Sequence, residues 1–589
     1  MHRLRDGAAA AASGTNSTVL LPKKAEFAVR RIPFQEGPEF DSLEQYAGYV
    51  QLTMPEHIPV KSAKDNMFFW LVTNTTNTHN KDKLIVWLNG GPGCTSLDGV
   101  FLENGPYKFD GPNRLRFRDY SLSQQFDVLY IDQPYGTGFS VAKTESYAKT
   151  FKESSQTLLE FLRRFYAVFP EFRQRQLYVA GESEAGTYIP YLAEAILKMP
   201  TPERFALSGL MIGNGWIDPL PMYMSYTEVL SRHGLLSPSV SSSMLKLADS
   251  CAREFKRAPQ PVHTEVCEHI PMVFLNEGGP SPGMCYNMYD LRLTDTKPSC
   301  GMNWPSDIGI YTEYLNREDV QRSINVRTPP TVWTECSDLP NKKLKHDDTP
   351  PAIIPLRDAL DLGVPVLLFV GKEDYLCNYV GTEWSIGNLT WAGGKGFRRS
   401  AVKSEWKING QNVGHVESDR GLTYALIYNA SHMVGVDKPR EILDVFTAFT
   451  NASAANLGFS STFRSLASIN GPPPRSLELG KWLGVGLLLF LVLLFAMCFK
   501  FRVRIFSWWK GAQDAQRADG GGLVTRRGYE RMRDLEDDAF MMSEFTFAKY
   551  PGDVEGLLLD DGSASSPDED MTVLDSRRTS RIPSPNANT

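Results

Sequence analysis

Short apolar runs recur along the chain, and each run ends at a cluster of glycine, proline or acidic residues. The clearest runs cover residues 84–88, 128–131, 177–180 and 364–370. Uninterrupted apolar runs of this length are typical of strands that are buried on both faces of a sheet. Helical patterns at 154–169 and 188–198 alternate with them. The pattern predicts an α/β fold with a mixed, mostly parallel central sheet and flanking helices.

The composition divides the chain into regions. Residues 1–33 have a basic start but only a five-alanine run, which predicts a poor or incomplete signal peptide. Residues 34–451 predict one folded domain, in which 220–330 interrupts the alternation and predicts a helical insertion stapled by disulfides. Residues 452–480 predict a short stalk. Residues 500–589 are rich in glycine, serine and acidic residues and predict a disordered tail.

The segment 482–499 contains eighteen residues without a charge. This is near the lower length for a helix that spans a membrane. A buried core helix is the alternative, but core helices rarely lack polar residues on every face. Lys500, Arg502 and Arg504 follow the segment closely, whereas fewer basic residues precede it. The positive-inside rule therefore predicts a single-pass type I protein with a luminal domain and a cytoplasmic tail.

Cysteines and glycosylation sequons agree with that orientation. Seven of the eight cysteines precede the apolar segment. Five sequons also precede it, at Asn16, Asn74, Asn388, Asn429 and Asn451. An odd number of cysteines in an oxidising lumen predicts one unpaired thiol. The net charge of −6 and the lack of a basic stripe argue against nucleic-acid binding.

A candidate nucleophile lies where the third apolar run meets a helical pattern. Gly181, Glu182, Ser183, Glu184 and Ala185 occupy this transition. Small residues let the chain turn sharply and lift the serine hydroxyl above the sheet. The following helix directs its positive end at the hydroxyl. The pattern predicts the nucleophile turn of an α/β-hydrolase fold, although five residues alone are a weak signal.

A serine nucleophile needs a base, and α/β-hydrolases place the acid and then the histidine after the serine in the chain. Asp374 follows the fourth apolar run, and His432 is the most C-terminal histidine. A helix cap or a surface histidine would explain either one alone. Together with Ser183 they predict a catalytic triad. Gly91, in a glycine-rich turn, and the amide of Glu184 are the predicted oxyanion donors.

Several motifs together carry a family resemblance. They lie at 87–96, 131–134, 136–140 and 181–183 and in the loops of Asp374 and His432. Over about 34–451 the chain resembles the serine carboxypeptidase family. Further features point to one group within this family. They are the stretches at 96–103, 286–292 and 298–304, the apolar segment and the acidic tail. They are similar to membrane-anchored fungal members of the late Golgi, the trans-Golgi network, which remove C-terminal Lys and Arg from peptides.

The resemblance implies a site for the substrate's terminal carboxylate. Asn89, Glu182 and Glu103 match the positions that bind it. A glutamate that faces a carboxylate must be protonated, and burial beside a like charge raises its pKa. The resemblance therefore implies activity favoured at mildly acidic pH, and it implies no metal and no other cofactor.

The chain also departs from the family. Glu184 stands where the family usually has an aromatic residue that lines the acyl-side subsite. Its carboxylate either favours a basic substrate side chain or is solvated at the edge of the cleft. Asp98 and Cys377 are further candidates for contact with the substrate side chain, and Cys377 is the expected free thiol near the leaving-residue subsite. Gly435 replaces a usual proline, which predicts a less rigid loop at His432.

The resemblance further implies three disulfides, Cys94–Cys336, Cys251–Cys267 and Cys285–Cys300, and a nested arrangement of the last four cysteines stays open. Two other functions also stay open: an acyltransferase or esterase on the same fold, and a non-catalytic membrane-anchored peptide receptor. Asn89 and Glu182 favour the peptidase, because they suit a free carboxylate. The expected partners are peptides with basic C-termini and, for the aromatic cluster at 545–550, sorting machinery.

Overall fold

The structure, a computed structural model, describes residues 22–52, 66–76, 80–143, 146–257, 264–326, 332–344 and 350–455. The start of the N-terminal segment with Asn16, nearly all of the stalk, the apolar segment and the tail lie outside these residues. In the described ranges, every helix is either too short or too polar to cross a bilayer.

One mixed sheet of eleven strands dominates the fold. The strands of the described chain are β1 Ala28–Val29, β2 Leu43–Gln51, β3 Asn66–Asn74, β4 Lys83–Leu88, β5 Tyr107–Phe109, β6 Leu115–Phe117, β7 Asp127–Ile131, β8 Gln176–Ser183, β9 Leu207–Gly215, β10 Met284–Asn287, β11 Asp290–Thr296, β12 Val366–Gly371, β13 Thr390–Trp391, β14 Gly394–Lys395, β15 Val402–Ile408, β16 Gln411–Asp419 and β17 Leu422–Ile427. The order in the sheet is β1-β2-β3-β7-β4-β8-β9-β12-β17-β16-β15. Six central strands, β7 to β17 in that order, pair in parallel, and antiparallel strands flank them on both sides. The predicted α/β sheet is confirmed.

Helices cover both faces of this sheet. Those of the described residues are α1 Phe151–Val168, α2 Ala185–Leu197, α3 Pro219–Arg232, α4 Pro238–Arg257, α5 Glu265–Glu277, α6 Ile308–Leu315, α7 Glu318–Ser323, α8 Asp338–Leu344, α9 Ile353–Asp361, α10 Tyr379–Asn388, α11 Val434–Asp437 and α12 Pro439–Ala455. The two helical patterns in the sequence correspond to α1 and α2. A π-helical turn, Gly99–Glu103, is completely buried.

Strand β3 shows how the sheet divides the core. Successive side chains of a strand point to opposite faces. Accordingly Phe69 and Leu71 pack with α1 and α2 in one apolar cluster, whereas Phe68 and Trp70 belong to a second cluster with α12. All four side chains are fully buried. Burial on both faces explains why the central strands read as uninterrupted apolar runs.

The predicted insertion contains helices α3 to α7 and also a hairpin, β10–β11. Cys251–Cys267 joins α4 to α5, and Cys285–Cys300 joins the hairpin to the following turn. The helical content matches the sequence pattern, whereas the hairpin was not predicted. The segment is therefore built of helices and a short hairpin. One disulfide joins two of the helices, and the other joins the hairpin to the turn that follows it.

Candidate active site

Ser183 lies at the last position of β8, and α2 begins two residues later. Its φ is 60°, a left-handed conformation that strains a non-glycine residue and is common at functional sites. The turn tolerates only small neighbours. A Cβ on Gly181 would lie 2.1 Å from the carbonyl oxygen of Leu88, and one on Gly186 would lie 2.6 Å from the backbone nitrogen of Trp216. The geometry is that of the predicted strand-to-helix turn.

His432 and Asp374 form a close buried pair. Nδ1 of His432 lies 2.7 Å from Oδ2 of Asp374, and the two residues are only 4% and 0% exposed. With Nδ1 engaged, Nε2 is the ring nitrogen left to exchange a proton. His432 and Ser183 line the same cavity. The pair and the serine meet because β8, β12 and β17 end at the same edge of a parallel sheet.

Asp374 is held from several sides. Its carboxylate accepts hydrogen bonds from Nδ2 of Asn214 (2.8 Å) and from the N–H groups of Leu376 (2.9 Å) and Cys377 (3.1 Å). Oδ1 of Asn214 accepts from the N–H of Gly371 at 2.9 Å, which links the ends of β9 and β12. Asn214 was not predicted from the sequence. Its signal is a polar residue between two glycines at the carboxyl end of a buried strand.

The insertion holds the loop that carries His432. The N–H of His432 donates to the carbonyl of Tyr289 at 2.9 Å, and the two rings are 5.2 Å apart. The N–H of Ser431 donates to Oδ2 of Asp437 at 2.7 Å, and Arg292 donates to the same oxygen at 3.1 Å. Tyr289 and Arg292 belong to the hairpin segment, so this segment fixes the position of the base.

Gly435 has a packing role in this loop. A Cβ at this position would lie 3.0 Å from both the Cβ and the carbonyl oxygen of Glu103. The glycine therefore lets α11 pack directly against the buried π-helical turn. The lower rigidity of the His432 loop stays a prediction.

The glycine turn after β4 lies against the nucleophile. A Cβ on Gly90 would lie 2.5 Å from the backbone nitrogen of Glu184 and 2.7 Å from the Cβ of Ser183. Gly91 follows with a φ of 115°, which favours glycine. The close approach places this turn beside the amide of Glu184, as the predicted pair of oxyanion donors requires.

Asn89, Glu103 and Glu182 form a buried group that we call the amide–carboxyl network. Nδ2 of Asn89 donates to Oε1 of Glu103 at 2.8 Å and to Oε1 of Glu182 at 3.1 Å. Oδ1 of Asn89 accepts from the indole of Trp87 at 2.7 Å, which fixes the amide. Burial raises the pKa of Glu182 well above its usual range, and the charge of Glu103 raises it further. The network therefore holds a proton beside the nucleophile.

A cavity of about 340 Å³ contains Asn89, Glu182, Ser183 and His432 in its wall. We call it the leaving-residue cavity. Asp98 and Glu335 also line it, and we call these two residues the acidic pair. Burial raises the pKa of Asp98, as do the charges of Glu335 and Glu103, and burial raises the pKa of Glu335 to about 7. Glu335 was not predicted, because it lies in no periodic segment.

A second cavity of about 430 Å³ also opens on Ser183. Glu184, Trp216, Glu268 and Cys377 line it, and the amide–carboxyl network does not. Glu184, which the resemblance placed at the acyl-side subsite, lines it, and we therefore call it the acyl-side cavity. Glu184 is 4% exposed, which contradicts the alternative that it is solvated at the cleft edge. Cys377 lies here and not in the leaving-residue cavity, and burial raises the pKa of its thiol well above the usual value.

The disulfides of the described residues are Cys94–Cys336, Cys251–Cys267 and Cys285–Cys300, the pairs that the resemblance implied. Cys377 is the free cysteine among these residues. Asn388, Asn429 and Asn451 are exposed and Asn74 is half-buried, so glycosylation at these sequons stays a prediction.

One group of side chains has the composition of a metal site. Asp374, Cys377 and His432 bring potential ligand atoms within 4.8 Å of one another. The carboxylate and the imidazole are hydrogen-bonded to each other, however, and the thiol is buried with a raised pKa. The arrangement fits proton transfer between serine and histidine better than metal coordination.

The serine carboxypeptidase family model matches residues 33–452. The chain belongs to this family. It is thus a serine-type carboxypeptidase, a hydrolase that acts as an exopeptidase.

Several similar proteins within this family have names that state a role. The pheromone-processing carboxypeptidase kex1 of Neosartorya fischeri is 36% identical over 447 residues, which cover 74% of this chain and 69% of the relative. That of Neurospora crassa is 37% identical over 467 residues, which cover 76% and 69%. The crystal structure of Kex1(delta)p, a prohormone-processing carboxypeptidase from Saccharomyces cerevisiae, matches with a TM-score of 0.67 and 32% identity. It covers 72% of this chain and 96% of its own.

Asn214 yields a prediction about the orientation of Asp374. The isosteric change Asn214→Asp keeps the acceptor for Gly371 but replaces the donor to Asp374 by a second carboxylate. Losing a hydrogen bond to a charged group costs about tenfold or more in rate, so we expect kcat to fall by about 10- to 100-fold with a small change in KM. Steady-state kinetics with a peptide substrate measure both constants.

The exposed Asn412 provides the control for this change. Asn412→Asp adds the same charge at a side chain that accepts a hydrogen bond from the backbone of Gly414 and makes none to Asp374 or His432, so it should keep the wild-type kcat. Equal kcat values for the two variants would show that Asn214 does not position Asp374.

Proposed function

We propose that the chain removes C-terminal Lys or Arg from peptide precursors in the secretory pathway through an acyl-enzyme on Ser183. One observation carries the proposal: the leaving-residue cavity contains both the amide of Asn89 with Glu182 and the acidic pair. The first set suits a terminal carboxylate, and the second suits a cationic side chain. The pheromone- and prohormone-processing names of the relatives agree with such substrates.

In this reaction the hydroxyl of Ser183 attacks the carbonyl carbon of the last peptide bond. Nε2 of His432 takes the hydroxyl proton, and Asp374 holds the ring through Nδ1 and stabilises the imidazolium. The N–H groups of Gly91 and Glu184 stabilise the oxyanion. His432 then gives its proton to the leaving amine, and the terminal amino acid departs. Water hydrolyses the acyl-enzyme, with His432 again as base and then as acid.

The amide–carboxyl network recognises the terminal carboxylate. In the free protein the amide of Asn89 donates to Glu103 and to Glu182. The substrate carboxylate replaces Glu182 as the acceptor of one of these hydrogen bonds, and protonated Glu182 donates a second to it. An ionised Glu182 would repel the substrate, so the raised pKa of this residue is required for binding. Binding of the chain end beside Ser183 limits hydrolysis to the last peptide bond, which is the property of an exopeptidase.

The acidic pair and an aromatic wall suit a Lys or Arg side chain. The rings of Tyr289 and Trp304 stack at 5.9 Å and line the same cavity. Such a wall packs the aliphatic stem of a long basic side chain. Asp98 and Glu335 both line this cavity, where their carboxyl groups can face the cationic end of such a side chain. A bound cation favours the ionised form of both carboxyl groups.

We also propose that the domain at 34–451 is luminal, that 452–480 forms the stalk, that 482–499 anchors it in the late Golgi membrane, and that 500–589 faces the cytosol. Three disulfides support an oxidising compartment. The basic residues that follow the apolar segment support the orientation. In this arrangement the aromatic cluster in the tail is available to sorting machinery.

The alternative functions lack support of this kind. An ester or an acyl acceptor has no need of a site for a free carboxylate beside the nucleophile. A peptide receptor has no need of a hydrogen-bonded histidine–aspartate pair that shares a cavity with a strained serine. Family membership and the buried network both favour hydrolysis of peptides from the free C-terminus.

A pair of peptides tests the reaction. We expect the purified protein to release Arg from a peptide that ends in Lys-Arg and to leave the matching C-terminal amide uncut, because the amide offers no carboxylate. Ser183→Ala should reduce release by several orders of magnitude. Mass spectrometry of the products measures both results. Equal cleavage of the acid and the amide would contradict recognition of the terminal carboxylate, and cleavage of an ester alone would favour the esterase.

Glu182 predicts a pH dependence. Its raised pKa means that the protonated, donating form is present at mildly acidic pH and is lost as the pH rises through that pKa. We therefore expect KM to increase on the alkaline side. Glu182→Gln retains a donor at every pH and should flatten this limb of the KM profile, although KM itself changes. An unchanged alkaline limb in this variant would show that another group causes it.

The pKa of Glu335 predicts that the preference for a basic terminal residue increases as the pH rises. Its carboxyl group is mostly neutral below its pKa of about 7 and ionised above it. The ratio of kcat/KM for terminal Arg over terminal Leu should therefore rise as the pH passes through 7. Glu335→Gln should flatten this rise, whereas Glu313→Gln, an exposed residue outside the cavity, should preserve it. A wild-type ratio that does not vary with pH would contradict the role of Glu335.

A further inference from the structure

Two cavities share Gly91, Ser183 and Leu376 in their walls. The terminal residue of the substrate occupies the one with the amide–carboxyl network. The two residues that flank the attacked carbonyl extend away from it in different directions. The residue before the scissile bond therefore occupies the acyl-side cavity.

The acyl-side cavity combines aromatic walls with two carboxyl groups. Trp216 and Tyr223 pack edge to face with ring centroids 5.1 Å apart. Glu184 follows the nucleophile directly and is buried, whereas Glu268 lies on α5 and is half-buried. Among the described residues that line this cavity there is no Lys or Arg. His269 also lines it, on the exposed side of α5, with Nδ1 2.6 Å from a backbone carbonyl.

Both carboxyl groups affect the pKa of the same residue in the cavity wall, Tyr223. Burial raises the pKa of the Tyr223 hydroxyl, and the charges of Glu268 and Glu184 raise it further. The two glutamates come from different elements, the nucleophile turn and α5. Helix α5 is fixed in place by the disulfide Cys251–Cys267, and its first turn is capped by Thr264. The two carboxyl groups are thus held in fixed positions in the wall of this cavity.

We propose that Glu184 and Glu268 form a subsite for a Lys or Arg residue immediately before the scissile bond, an inference that rests on the proposed carboxypeptidase function. The aliphatic stem of such a residue packs along the aromatic walls, and its cationic end reaches the carboxyl groups. An acidic residue at this position is repelled. The enzyme would then read two consecutive basic residues, one in each cavity.

This subsite makes the two basic residues at a dibasic C-terminus leave at different rates. With Lys-Arg at the terminus, Arg leaves while Lys occupies the acyl-side cavity, and both acidic sites are filled. Once Arg has left, Lys becomes the terminal residue and an ordinary residue takes the acyl-side cavity. The first removal is therefore faster than the second, and the intermediate with one basic residue accumulates.

The test compares peptides that all end in Arg and differ only at the penultimate residue, which is Lys, Leu or Glu. For the wild type we expect kcat/KM to be at least about tenfold higher with Lys than with Leu, the factor of one charged contact, and lowest with Glu. Glu184→Gln and Glu268→Gln should each lower the Lys-to-Leu ratio about three- to tenfold. Glu265→Gln, exposed on the same helix, should keep the wild-type ratio.

The outcomes separate this inference from the proposed function. A wild-type ratio near one, or a ratio that neither variant changes, would overturn the acyl-side subsite. A second series keeps Leu at the penultimate position and varies the terminal residue among Arg, Lys and Leu. No preference for a basic terminus in that series would contradict the proposed leaving residue, and the acyl-side subsite would still stand on the first series.

Discussion

The parallel pairing of the central strands is the constraint on which the active site depends. The strands β4, β8, β9, β12 and β17 form one continuous set of parallel ladders inside an apolar core, which fixes their positions relative to one another. Their carboxyl ends share one edge. Ser183, Asn214, Asp374 and His432, far apart in the chain, therefore meet above a rigid support. The chemistry is placed by backbone hydrogen bonds of the sheet before any side chain contributes.

This constraint also explains what could be predicted from the sequence. Ser183, Asp374 and Asn89 each follow an apolar run, and the position of a strand end is a local property that periodicity reveals. Glu335 and Glu268 are different. They reach their cavities through a disulfide and through an inserted helix, and no local pattern records such long-range placement. Glu184 likewise shares its cavity with Tyr223 and Tyr226 of α3, which no local pattern around the nucleophile records.

Three carboxyl groups around the nucleophile differ in their surroundings and therefore in what they can do. Asp374 accepts several hydrogen bonds and orients the histidine. Glu182 is buried beside Glu103 and keeps a proton, so it acts as a donor. Glu335 has a pKa of about 7, raised by burial, and its ionised form suits the counter-ion of a cationic side chain. The same functional group thus suits the roles of orienter, donor and counter-ion, and burial and neighbouring charges decide which.

The inserted segment serves two purposes at once. Helix α5 lines the acyl-side cavity with Glu268, and the hairpin that follows it contacts the His432 loop through Tyr289 and Arg292. One wall of the acyl-side cavity and the alignment of the base are thus encoded in one contiguous stretch of chain. Grafting this stretch between related enzymes would transfer specificity only if the recipient's histidine loop offered matching contacts. A sequence change in this stretch that alters the cavity wall can therefore also alter the position of His432 and with it the catalytic rate.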